Sequence, residues 1–441
     1  LSQIGVKMRT VDLIQKKKEG KKHTKEEIYF LVNGYTKGEV EDYQMSAWLM
    51  AVCFCGLDKE ETAWMTQAFV DSGEVLDFSH ISNFVADKHS TGGVGDKVTI
   101  VLIPLLASLG VTCAKLSGRG LGYTGGTVDK LESIPNFKCE MSKDEFMKQI
   151  KDINAAISSQ SPNLTPADGK IYALRDVTAT VDNKSLICAS VVSKKIASGA
   201  NSIVLDVKYG SGAFIKTKEE ACELARLMIE TGALLGRKIS AIISSMEQPL
   251  GTHIGNSLEI IESIEFLKGN YQKDLYDVTL EIAAKTLIAG DFCKTKEEAK
   301  EKIDNAIESG LALETFKKII AYQGANPDIV NDYSLFKQAE NSYELKAQKD
   351  GYIEELDALK IARACKLLGA GRDKKTDSID PSAGCILNKK TGDEIKSGET
   401  LLTLYYNDVK DEKLNEAIDC ANKAIIISTY KPYAKELIYA L

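Results

Sequence analysis

Three stretches of the chain gather residues able to hold an anion and a flat polar ring. The first reads NFVADKHSTGGVGDKVTIVLI over 83–103: a short β-like run, then Lys88-His89-Ser90-Thr91-Gly92-Gly93-Val94-Gly95, then an apolar helix. Glycines let backbone N–H groups come close to a ligand, and the start of the following helix adds a positive dipole. Lys88 supplies a cation, Ser90 and Thr99 supply hydroxyls, and His89 is a group that titrates near neutral pH; all are expected within reach of one helix start. The spacing does not satisfy GxxxxGK[ST], so a nucleoside-triphosphate cradle of that kind is not supported.

The second stretch, KLSGRGLGYTGGTVDKLESI over 115–134, repeats the plan with Ser117, Arg119 and Thr127 around its glycines. Two such loops can face one ligand, and together they favour inorganic phosphate. Gly120, Gly122 and Gly125 also satisfy GxGxxG, with Glu145 downstream, which keeps NAD-dependent hydride transfer as an alternative. A dinucleotide-binding unit is expected to open a fold, however, and not to follow a long helical stretch and another anion loop. In the third stretch, 170–214, Tyr172 and Arg175 stand at i, i+3 on one helix, and Ser190 and Lys194 at i, i+4 on the next. A guanidinium fork and an ammonium suit the carbonyl oxygens of a pyrimidine, and a hydroxyl suits its ring N–H. Lys195 reads as a solvated charge, as do the lysine runs at 16–18 and 21–22.

These groups need elements to position them. From about 10 to 70 the pattern is helical throughout, with Thr24 and Glu27 spaced as a capping box. After Asp71-Ser72-Gly73, β-like runs at 83–86, 112–116, 202–207 and 239–244 alternate with helices such as Ser142 to Ile157 and Thr217 to Leu235. That alternation predicts a parallel α/β sheet. Helical texture without a strand returns over 165–199, so this stretch is expected to pack with the opening helices, the chain crossing between lobes near 72–80, 158–164 and 197–201. Beyond about 330, β-rich segments surround a helix at 356–369. The predicted fold class is therefore α/β. A small all-helical lobe (8–72 and 165–197) binds the base, a large α/β lobe with a mostly parallel sheet (73–164 and 198–330) binds phosphate, and a C-terminal α+β portion (331–441) follows. The seven residues ahead of Met8 are left out of this reading.

Composition bounds the partners. With 63 acidic against 56 basic residues the chain carries a formal charge of −7, which opposes adhesion to nucleic acid or an anionic membrane surface. No apolar run approaches the ~20 residues of a membrane span. The ten cysteines form no CxxC and the four histidines no HExxH or HxH, so a dedicated zinc or iron site is not expected. Reduced thiols and a cytoplasmic location are expected instead.

The motifs DKHSTGGVGD (87–96), SGRGLGYTGGTVDKLESIP (117–135) and YALRDVTATVDN (172–183) resemble the pyrimidine nucleoside phosphorylase and thymidine phosphorylase family, from about residue 8 to the C-terminus. The resemblance implies the lobed fold above, assembled as a homodimer through the helical lobe. It implies phosphate held by Lys88, Ser90, Thr99, Ser117 and Thr127, and base held by Tyr172, Arg175, Ser190 and Lys194, with Lys115 facing the nucleoside. His89 would donate a proton to the pyrimidine O2 and, with Arg175 and Lys194, form the catalytic set. The reaction implied is reversible phosphorolysis: phosphate attacks C1′ of uridine, thymidine or deoxyuridine and yields an α-pentose 1-phosphate and free base, a step of pyrimidine salvage.

Some positions sort the family. Lys115 stands where general enzymes carry Lys and thymidine-selective ones Met, which implies acceptance of uridine as well as thymidine; thymidine selectivity is the narrower alternative. Tyr123 replaces a usual His and is given no catalytic part, since a phenol does not become a cation near neutral pH. Lys97 lies in the region that binds a potassium ion in some relatives, together with Gly95, Leu250, His253 and Glu262. Its ammonium is expected to replace that ion and pair with Glu262, so no cofactor and no potassium requirement is expected. The related anthranilate-type pentosyltransferases would need a diphosphate sugar and Mg²⁺, for which no paired acidic motif is evident. A purely non-enzymatic binding role accounts least well for cations, hydroxyls and a histidine on convergent loops.

Overall fold

The computed structural model describes residues 8–120, 123, 125–374 and 376–440; Gly122 of the GxGxxG stretch and the seven residues before Met8 lie outside them. Four helices come first, α1 (Thr10–Lys18), α2 (Lys25–Lys37), α3 (Asp42–Cys55) and α4 (Lys59–Asp71). An α/β run follows: β1 (Val85–Ser90), α5 (Val98–Ser108), β2 (Thr112–Ser117), α6 (Thr127–Leu131), α7 (Lys143–Ile153) and β3 (Ala155–Ser159). Helices α8 (Pro166–Asp176) and α9 (Lys184–Ala197) precede β4 (Ser202–Tyr209), α10 (Lys218–Leu234), β5 (Lys238–Ser245) and β6 (His253–Gly255). Four more helices, α11 (Asn256–Leu267), α12 (Lys273–Ala289), α13 (Lys296–Glu308) and α14 (Leu311–Tyr322), lead to the C-terminal part. That part contains β7 (Asn341–Lys346), β8 (Gly351–Leu356), α15 (Ala358–Cys365), β9 (Gly384–Leu387), β10 (Glu394–Ile395), β11 (Thr400–Tyr406), α16 (Asp411–Ala424), β12 (Ile425–Ser428) and β13 (Ile438–Ala440).

The chain divides into two compact units. One holds the described residues up to Val85 together with Gln160–Ile203 and Glu223–Ser240. Two of its helices start at capping boxes: Thr24 and Glu27 exchange bonds at the head of α2, and Asp58 and Glu61 do so at the head of α4. Trp48, Leu49 and Phe69 from the opening helices share a core with Ala167 and Ile171 of α8 and Leu186 and Ala189 of α9. The chain passes between the units five times and not three, because Glu223–Ser240, most of α10 and the start of β5, also joins this unit. Two lysines read as solvated are buried. Lys17 pairs with Glu61 at 2.7 Å, and Lys195 is 2% exposed.

The other unit is built on a six-stranded sheet of order β13-β5-β4-β1-β2-β3, with β2 and β3 parallel and β13 antiparallel to β5 at the far edge. Helix α5 is apolar on every side and buried from Val98 to Ala107, as a helix enclosed by other elements must be. Two smaller sheets carry the C-terminal α+β part, β10-β8-β12 and β6-β9-β11-β7, the second taking β6 from the preceding α/β run, so the fold class matches the expectation.

Local boundaries differ from the sequence reading in three places. Strand β1 runs over Val85–Ser90 and not 83–86, because the Asn201 amide bonds Asn83 O and Val85 N and holds the preceding residues in a turn. The expected helix from Ser142 to Ile157 stops at Ile153, where Asn154 takes a left-handed conformation (φ 59°) and the chain enters β3. The expected helix at 356–369 ends its regular turns at Cys365.

The unanticipated strand β3 lies at a sheet edge, and Gln323 supplies it with hydrogen bonds. Its buried amide donates to Ile157 O (2.9 Å) and Lys138 O (2.7 Å), and its oxygen accepts from Ile157 N at 3.4 Å. Gln323→Ala orphans both carbonyls and is expected to lower unfolding free energy by about 1–3 kcal/mol in urea denaturation. An unaltered midpoint and slope would refute this role.

Candidate active site

The residues expected to hold phosphate begin on β1. Strand alternation puts Lys88 and Ser90 on one face and Asp87 and His89 on the other. Lys88, expected in a loop, is therefore a strand residue; it is 2% exposed. Its ammonium stands 3.6 Å from Asp96 and 3.8 Å from Asp206, beyond hydrogen-bond reach of either. Burial would push the Asp96 carboxyl up, but the Lys88 and Lys208 ammoniums and the Ser90 hydroxyl hold it well below the usual carboxylate range. The loop turns at Gly92 (φ 96°) and Gly95 (φ 70°); a Cβ on Gly95 would sit 2.5 Å from Leu250 O. Thr99 follows, 5% exposed in the first turn of α5.

The second loop leaves the neighbouring strand. Lys115 of β2 bonds the carbonyl of Lys88 in the adjacent strand β1, and Ser90 and Ser117 are the last residues of these two strands. Thr127 opens α6 on the far side of that loop. The loop is closed by Asp129, which accepts from Gly120 N at 2.6 Å and Gly126 N at 2.8 Å and pairs with Arg372 at 2.8 Å. Glu145, the acid that the dinucleotide alternative needs, instead caps α7 through Ser142.

Lys115 departs from its expected place at the nucleoside. It is 3% exposed, and its ammonium bonds Asp87 at 3.0 Å as well as Lys88 O, which makes it a tie between β1 and β2.

On the other unit, α8 and α9 present the expected base-binding residues. The Lys194 ammonium donates to Ser190 Oγ at 2.8 Å, pairs with the Asp168 carboxylate and lies 5.9 Å from the Tyr172 ring centre. Burial pushes the half-buried Tyr172 phenol up. Arg175 corrects the sequence picture of an open fork. It is 1% exposed, and its guanidinium donates to Thr180 O (3.1 Å), Val181 O (2.8 Å) and Leu186 O (3.3 Å), bracing the turn between α8 and α9. Its other two N–H groups make no hydrogen bond among the described residues.

Five residues of the expected cation region also come together. The fully buried Lys97 ammonium is 2.6 Å from Glu262 and donates to Leu250 O at 2.9 Å, while Lys97 N bonds Gly95 O at 2.9 Å. Glu262 further accepts from His253 N at 3.0 Å. Burial would raise its carboxyl, but Lys97 and His253 bring it down to about 2. Sequence reasoning missed Asp96, Asp129, Asp168, Asp206 and Lys208. Asp206 and Lys208 had a local signal, since they share one face of an otherwise apolar strand, Ile203 to Val207.

Comparisons with known proteins bear on the family and the fold. Residues 11–73 match the glycosyl transferase family helical bundle domain, 82–313 its a/b domain, and 352–428 the pyrimidine nucleoside phosphorylase C-terminal domain. A pyrimidine-nucleoside phosphorylase of Geobacillus stearothermophilus is 49% identical over 432 residues, spanning 98% of this chain and 99% of the relative. One from Bacillus subtilis (strain 168) is 50% identical over 400 residues, or 91% and 92% of the two chains. Among solved structures, anthranilate phosphoribosyltransferase from Thermus thermophilus shares the fold with a TM-score of 0.57 at 17% identity, over 71% of this chain and all (100%) of that one. With a helical bundle, an α/β unit and a C-terminal part that each match, and near-half identity over almost its whole length, the chain is an enzyme of the pyrimidine-nucleoside phosphorylase family.

Proposed function

We propose that the chain catalyses reversible phosphorolysis of pyrimidine nucleosides, uridine and thymidine or deoxyuridine, to free base and pentose 1-phosphate, a salvage reaction. The observation that carries this reading is that Ser90 and Ser117 end the adjacent strands β1 and β2, while the buried Lys88 ammonium of β1 keeps its two carboxylates at 3.6 and 3.8 Å. In this reading Lys88, Ser90, Thr99, Ser117 and Thr127 hold phosphate. Phosphate is a modest nucleophile, so orienting it at C1′ matters more than activating it, and orientation can supply on the order of 7–11 kcal/mol. As the glycosidic bond stretches, negative charge gathers on O2 and O4 of the base. Lys194 and the free N–H groups of Arg175 meet that charge, His89 donates to O2, and each charge-assisted bond contributes roughly 1.5–3 kcal/mol. Tyr172 and Ser190 fix the ring. The Lys97 ammonium stands in for a monovalent cation beside Glu262. The ten unbridged thiols suit a reducing cytoplasm.

The protein is expected to act as a homodimer. Helix α3 exposes Tyr43 (73%), Met50 (36%) and Phe54 (85%) along one face, a stripe that a second copy would cover. Sedimentation equilibrium should give twice the 48.2 kDa chain mass, and Phe54→Glu should shift the population to single chains. A monomeric parent at micromolar concentration would overturn this.

The reaction is tested by incubating dialysed enzyme with uridine, thymidine or cytidine, with and without phosphate, and following free base by ultraviolet absorbance. Uracil and thymine should appear only with phosphate, at equal rates in sodium and potassium buffers. Release without phosphate, or none at all, would refute the reaction; a strict potassium requirement would refute the part given to Lys97. Arg175→Ala should raise the nucleoside KM, lower kcat and cost about 1–3 kcal/mol of stability, because it leaves buried carbonyls unpaired. Parental stability in denaturant would mean the guanidinium braces nothing.

A further inference from the structure

We infer that Lys208, which no step above uses, is a positioning residue of the phosphate site: it occupies the Asp206 carboxylate and so leaves the Lys88 ammonium available to an incoming anion. The inference rests on the reading of Lys88 as a phosphate ligand.

Lys208 is 0% exposed, and its ammonium lies 2.7 Å from Asp206, 3.9 Å from Asp96 and 3.1 Å from Ser244 Oγ, which itself donates to Asp206 at 2.5 Å. Its stem runs directly beneath the first glycine loop. A Cβ on Gly93 would come within 2.8 Å of Lys208 Cδ, and Lys208 N donates to Thr91 Oγ1 at 2.9 Å. Two ammoniums and two carboxylates thus form a buried quartet with no net charge, and it is lopsided. Lys208 and Ser244 take the short contacts to Asp206, whereas Lys88 is held only by the longer approaches of 3.6 and 3.8 Å and makes no hydrogen bond through its ammonium among the described residues.

A buried quartet of this kind adds little stability over apolar side chains of the same size, because desolvation consumes most of the attraction. Its asymmetry has a use, however. With Lys208 absent, Asp206 would be left with Lys88 as its nearest cation and would draw that ammonium into a tight pair, and the site would carry a surplus negative charge facing a phosphate dianion. With Asp206 neutralised instead, the site would gain a surplus positive charge. The two substitutions must therefore move phosphate affinity in opposite directions, which a merely structural role cannot do.

The test measures KM for phosphate at saturating nucleoside, KM for nucleoside at saturating phosphate, and phosphate binding by calorimetry. Lys208→Met should raise the phosphate KM about 10- to 100-fold, the range expected for one charge a few ångströms away at intermediate dielectric, and change the nucleoside KM less than about threefold. Asp206→Asn, which keeps shape and most hydrogen bonds, should tighten phosphate roughly 3- to 10-fold. A Lys208→Met enzyme that loses kcat in proportion to its folded fraction while keeping the parental phosphate KM overturns the inference. So does an Asp206→Asn enzyme that binds phosphate no more tightly than the parent, and this variant alone decides if Lys208→Met does not fold. Lys88→Met separates the two levels: parental phosphate binding in that variant would defeat the site assignment itself, whatever Lys208 does.

Discussion

A cation that is to grip an anion away from water must itself be buried, and a buried cation needs a counter-charge. This constraint shapes the α/β unit. Lys88 and Lys208 share Asp96 and Asp206, Lys115 takes Asp87, Lys97 takes Glu262, and Lys130 takes Glu259 at 2.6 Å. Each pair ties two elements together: β1 to β2 by Lys115, the head of α5 to α11 by Lys97, and α6 to α11 by Lys130. The ions around the glycine-rich loops are thus the same ions that hold those loops to the sheet and its helices. Lys88 differs from the others in being the member whose carboxylates stay beyond bonding distance.

The helical unit uses ion pairs too, Lys17 with Glu61 and Lys194 with Asp168, and adds backbone to them. Arg175 is buried among the carbonyls of Thr180, Val181 and Leu186, whose partial charges receive its N–H groups. This anchors the turn between α8 and α9, so the spacing of Tyr172 from Ser190 and Lys194 depends on a residue that also belongs to the expected base-binding set. Asp168, fully buried, holds the Lys194 ammonium from below.

What could be read in the sequence follows from the range of the interactions. The opening helices were legible because caps such as Thr24 with Glu27 act over three residues. The two glycine-rich loops are legible as strand-to-helix connections because each glycine run lies between apolar segments. Strand β1 was placed too early, since Lys-His-Ser looks like loop until one sees carboxylates brought from β4 and from beyond the loop to neutralise it. Strand β3 was lost because Ala155 and Ala156 suit a helix, and the partner that completes the strand, Gln323, lies far along the chain. The burial of Lys115 and Arg175 is not legible, since Lys115 bonds Asp87 and Lys88 of a neighbouring strand and Arg175 turns back onto carbonyls that no side-chain pattern marks.

The antiparallel strand at the end of the main sheet has a bearing on how the protein is made. Strand β5 receives its outer neighbour from residues 438–440, so its edge has no partner until roughly two hundred further residues have left the ribosome, about 10–40 s at ordinary synthesis rates. For that interval a row of N–H and C=O groups from Ile242 to Ser244 is exposed beside a nearly complete sheet, a template on which a second nascent chain can add. The last few residues therefore act as a clasp, and a truncated transcript would yield a chain with its binding groups intact and its sheet still open to aggregation.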